Sequence, residues 1–111
     1  MKIKEYNKDN VCIEDAKKII RYYGLNNQQR KFAEEHFELQ EAITKYGYAD
    51  TFELNEKMID KLVDEIADNY VLLIQFIEAF NIEHKRVDER ARYKIARQLN
   101  RIQLDRIEKE R

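Results

Sequence analysis

The 111-residue chain contains no proline, only two glycines and one cysteine, and each shortage removes a class of fold or chemistry. Sheets of many strands need tight turns built mostly from Gly, Pro, Asn and Asp, so a chain this poor in the first two points to helices throughout. Cys12 alone forms no internal disulfide, and with His36 and His84 it does not make a zinc-type cluster. The longest unbroken apolar stretch, Tyr70 to Ile74, is far below the roughly 18 to 20 residues that cross a bilayer. The opening Met1-Lys2-Ile3-Lys4-Glu5 lacks the apolar core of a secretory signal. A cytoplasmic protein folding as one domain over 1–111, without a membrane partner, is expected.

What the chain has in plenty is charge, 39% of residues, with a formal net of only −1. That balance gives no general reason to bind nucleic acid. The distribution is lopsided: residues 1–81 hold 11 Lys and Arg against 16 Asp and Glu, a balance of −5, and residues 82–111 hold 10 against 6, a balance of +4. Either the basic end binds anions beside an acidic body that binds cations, or the two halves attract each other.

No internal repeat, low-complexity tract or linker composition divides the chain, so helix stop signals do. They predict four helices. The first spans about Ile13 to Tyr23 and stops at Gly24. Asn26 with Gln29 forms a capping box for a second that continues to Tyr46, before Gly47. Asp50 with Glu53 forms a similar box for a third, running through Phe80 to Asn81. A basic fourth fills about 83–109, with Val87, Ala91, Ile95, Leu99 and Ile102 in one seam. Short connections make neighbours antiparallel, giving an all-α bundle around a central hairpin of about 26–80. The third helix is apolar in so many directions that oligomerisation is expected to cover it.

Four carboxylates stand where apolar residues belong. At 100° per residue, Phe32, Leu39, Ile43 and Tyr46 share one arc of the second helix, with Glu35 inside it and Glu38 at its flank. On the third helix Met58, Leu62, Leu73 and Phe76 define the inward arc, Glu65 falls between Phe76 and Leu72, and Asp68 lies at the edge. Buried carboxylates require protons, cationic side chains or a metal. The i, i+3 spacing on two facing helices suits a hard cation such as Mg²⁺, and a buried Arg or Lys network is the structural alternative. A ferritin-like di-iron site lacks its Glu-x-x-His motif.

Glu34-Glu35-His36-Phe37-Glu38, followed by Glu65-Ile66-Ala67-Asp68, resembles the paired Glu-Glu-x-x-Glu and Glu-x-x-Asp motifs of the MazG-like nucleoside triphosphate pyrophosphohydrolases. Gln28 and Lys31 match the usual lead-in, and the likeness is weaker around Tyr93 to Leu99. Asn69 and Tyr70 depart from it, standing where many members have aliphatic residues. The resemblance implies an oligomeric all-α enzyme, a homodimer or homotetramer, that uses Mg²⁺, or Mn²⁺ in its place, to cleave an NTP or dNTP to nucleoside monophosphate and pyrophosphate. By it Glu35, Glu38, Glu65 and Asp68 are metal ligands and Glu34 has an accessory catalytic role.

Several neighbours then gain candidate roles. Lys94 and Arg97 could hold the departing phosphates, or be solvated charges whose stems lie over apolar surface. Lys31 is a phosphate contact or simply an i, i+4 partner of Glu35. Tyr46, Tyr48 and Tyr70 could line a base pocket or belong to the core. His36 reads as a core or interface histidine. The competing reading is a non-catalytic helical adaptor whose acidic core pairs with the basic C-terminal helix.

Overall fold

The computed structural model describes residues 13–47 and 55–110. Among them are four helices and no strand: α1 (Ile13–Tyr23), α2 (Leu25–Gly47), α3 (Glu56–Ala79) and α4 (His84–Lys109). The chain falls into two compact units, one ending at Phe80 and the other beginning at Asn81. No helix among the described residues is long and apolar enough to cross a membrane.

Gly24 ends α1 in the left-handed region expected of it, with φ +88°, and its N–H donates to Ile20 O at 2.9 Å. Its carbonyl also accepts from Gln28 N at 3.1 Å, so one residue closes α1 and opens α2. The expected Asn26 cap is therefore corrected: with no room for a separate extended residue, Asn26 lies inside α2. α3 starts later than expected, capped by Asn55, whose backbone is extended and whose side-chain oxygen accepts from Met58 N at 2.9 Å. The anticipated Asp50 and Glu53 box lies outside the described residues. At the other end Phe80 N–H donates to Phe76 O, and Asn81 takes a left-handed φ of 59°, which asparagine tolerates better than most residues.

In the first unit α3 packs against both α1 and α2, which answers its need for two neighbours. α2 and α3 run antiparallel: Gln28 meets Gln75 and Phe32 meets Phe76 near the start of α2, and Glu35, further along α2, meets Asn69, further back on α3. Ala16, Ile20, Ala42, Leu72 and Ile74 form the apolar interior. Phe32, Leu39, Met58, Leu62 and Phe76 are half-buried on the arcs assigned to them. Ile43 and Leu73 are exposed, against expectation. Two helices touch along a strip narrower than a whole apolar arc, so residues at its margins stay outside. On its outward side α3 exposes Ile59, Val63, Ile66, Tyr70 and Leu73, alternately four and three residues apart. In the second unit α4 buries no residue, and its seam from Val87 to Ile102 is exposed.

Candidate metal centre

The hairpin gathers the carboxylates near the middle of α2 and α3. Helical periodicity turns Glu35 and Glu65 inward, leaving them 8% and 4% exposed, while Glu38 and Asp68, one turn on, reach the rim. Oxygens of Glu35, Glu38 and Glu65 lie within 4.8 Å of one another. Asp68 is not among those three, but it is close enough to Glu35 and Glu65 for their charges to act on it. Glu34 is exposed beside them.

Each buried carboxylate is half satisfied. Lys31 Nζ lies 3.1 Å from Glu35 Oε1 and Lys61 Nζ 2.8 Å from Glu65 Oε1, each lysine one turn before its partner. Glu35 Oε2 and Glu65 Oε2 are buried and have no hydrogen-bond partner. Such oxygens are costly unless something compensates them. The electrostatics agree: the charge of Glu35, then burial and Glu65, holds the Glu38 carboxyl above its ordinary range. Burial, then Glu35 and Glu65, does the same to Asp68. Hydrogen bonds to Glu35 and Glu65 raise the Lys31 and Lys61 ammoniums in turn. The donor set is all oxygen and more negative than its two lysines offset, which fits a hard divalent cation.

Lys61 was not among the residues singled out from the sequence, yet a signal for it exists. Lys31, Glu35 and Glu38 on α2 recur thirty positions later as Lys61, Glu65 and Asp68 on α3. Antiparallel pairing of two such arms sets Glu38 beside Glu65 and Glu35 beside Asp68, the juxtapositions found. The absence of a repeat, as expected from the sequence, thus holds for the chain at large but not for this short pattern.

A cleft of about 660 Å³ opens beside Glu38 and Glu65, lined also by Phe37, Lys45, Tyr46 and Lys61. Tyr46 thus lines a cavity, Tyr70 is exposed on α3 and Tyr48 lies outside the described residues. His36 is exposed, its ring 5.7 Å from that of Phe32, so within this chain it is not a core residue. Lys94 and Arg97 belong to the second unit. There Lys94 borders a shallow groove with Arg86, Val87 and Arg90, and the Arg97 guanidinium lies 6.0 Å from the Tyr93 ring centroid. No protein-family model, curated protein or solved structure matches this chain.

Proposed function

We propose that the protein is a Mg²⁺-dependent nucleoside triphosphate pyrophosphohydrolase of the MazG-like kind, converting an NTP or dNTP to nucleoside monophosphate and pyrophosphate in cytoplasmic pool control. The observation that carries this reading is the pair of buried, partnerless oxygens, Glu35 Oε2 and Glu65 Oε2, amid carboxylates from two facing helices. Glu35, Glu38, Glu65 and Asp68 would hold Mg²⁺ or Mn²⁺, with Glu34 accessory. When bound, the cation offsets phosphate charge and activates water. The hairpin fixes the carboxylates before substrate arrives, so little reorganisation remains for the reaction. Lys31 and Lys61 are ammoniums at the edge of the cluster, able to turn to phosphate oxygens. The cleft beside Glu38 supplies the aromatic faces of Phe37 and Tyr46 for a base.

The exposed α3 seam supports a homo-oligomer. Ile59, Val63, Ile66, Tyr70 and Leu73 alternate as the a and d positions of a coiled-coil stripe do, and a second copy of the chain would cover them. The same seam would serve the competing reading, a non-catalytic assembly protein. Pyrophosphate release from a panel of canonical and modified NTPs and dNTPs, in Mg²⁺, Mn²⁺ or EDTA, separates the two. Metal-dependent release that Glu38→Gln abolishes establishes the enzyme. Silence from folded, Mn²⁺-loaded protein moves the conclusion to assembly.

A further inference from the structure

Asn69 sits beneath the carboxylates, 5% exposed, and its bonding is unusual. Its Nδ2 donates to Glu65 O, one turn back on α3, at 2.8 Å, and across the hairpin to Glu35 O on α2 at 3.0 Å. One amide therefore ties together the backbone turns that carry the two buried carboxylates. Both carbonyls belong to helical residues and have ladder partners of their own, so the side chain is not there to rescue an unsatisfied backbone group. Its own Oδ1, meanwhile, is buried without a partner. As an element of stability alone Asn69 is a poor choice, because an apolar side chain would leave nothing unsatisfied. The other arm makes the comparison directly: thirty positions earlier, at the equivalent place on α2, stands the half-buried Leu39.

We infer that Asn69 is a positioning residue, whose cross-hairpin amide sets the register and separation at which the carboxylates of Glu35 and Glu65 meet. The inference rests on reading those carboxylates as a cation site. Apolar surfaces slide past one another with small changes in energy, whereas a hydrogen bond to one carbonyl selects a single register. Residues that orient metal ligands without touching the metal typically alter affinity by about 10–100-fold when changed.

Mn²⁺ binding, followed by the electron paramagnetic resonance signal of the free ion, tests this with the full chain. Wild type is compared with Asn69→Leu, which removes both bonds and the orphaned oxygen. It is also compared with Asn69→Ser, whose hydroxyl can return to Glu65 O but is too short to span to Glu35 O. The expected result is a split: Asn69→Leu melts at or above the wild-type temperature, yet both variants bind Mn²⁺ at least about tenfold more weakly. Equal affinity in wild type and folded variants overturns the positioning role and leaves the cation site standing. No Mn²⁺ binding by wild type removes the site reading and the positioning role with it. If Asn69→Leu fails to fold, Asn69→Ser decides, and failure of both assigns Asn69 to the fold alone and overturns the inference.

Discussion

The Lys61 ammonium lies 2.8 Å from Glu65 Oε1, on a carboxylate whose second oxygen is buried without a partner. On the proposed reading a cation would serve the same group as the lysine, and either would offset its charge. Replacing Lys61 by Met should lower the melting temperature in EDTA, because Glu65 then loses its nearest positive charge. Saturating Mg²⁺ should close most of that gap. Differential scanning fluorimetry in both conditions checks it, and a gap of the same size with and without Mg²⁺ would show that no cation shares the site.

Acidity should separate the rim carboxylates from the rest. The folded state holds the Asp68 carboxyl above its ordinary value, by burial first and then by Glu35, and holds Glu38 above its own through the charge of Glu35. A carboxyl that binds its proton more tightly when folded destabilises the fold once ionised, and the penalty disappears as pH falls through the raised folded value towards the unfolded one, near 3.8 for Asp68. Asp68→Asn should therefore melt above wild type at pH 7 in EDTA, with the difference shrinking towards pH 4. In Mg²⁺ at pH 7 the order should reverse. Lys31 and Lys61 act at the other extreme: their raised values make a contribution that is present below about pH 10.5 and is lost only above it. Melting curves of both proteins across pH 4–8 test the sign, and an Asp68→Asn variant less stable than wild type at pH 7 in EDTA would contradict it.

A second amide bond crosses the hairpin further along, where Gln28 Nε2 donates to Gln75 Oε1 at 2.6 Å in the interior. Gln75 is 2% exposed, so neither amide can turn to water. Gln75→Leu alone leaves the Gln28 amide buried and unpaired, and should cost about 1–3 kcal/mol. The double change Gln28→Leu with Gln75→Leu removes both polar groups and should recover most of that loss. Chemical denaturation of the four proteins forms the cycle. Costs that simply add would mean the pair is not coupled.

What could be read in advance follows from what helical periodicity fixes. It sets directions, so the burial of Glu35 and Glu65 and the rim positions of Glu38 and Asp68 follow from spacing alone. It does not say which of two nearby polar residues caps a helix. Asn26 and Asn55 therefore departed from expectation while Gly24, whose left-handed backbone admits few residues, did not. Nor does it set the register between helices: Asn69 and Gln75 look like polar interruptions of an apolar run until the carbonyl of Glu35 and the amide of Gln28 are placed across from them. Lys61 was legible in principle, as the first member of a pattern repeated from Lys31, but the repeat is too short to register against a charge-rich background.

The outward stripe on α3 leads to the last prediction. Val63, Ile66 and Tyr70 are each more than half exposed, and together with Ile59 and Leu73 they span two heptads with no charge among them. A single chain gains nothing from presenting such a row to water, at roughly 25 cal/mol for each Å² of apolar surface left uncovered. Two copies laid seam to seam would cover it on both sides, whereas a lysine at its centre would have to be desolvated in both. Ile66→Lys should therefore convert a wild-type dimer into a monomer in sedimentation velocity without loss of helix in circular dichroism, since residue 66 is exposed in the single chain. Wild-type protein that sediments as a monomer at high concentration would remove the seam as an interface between copies, and a dimer unaffected by Ile66→Lys would move that interface elsewhere.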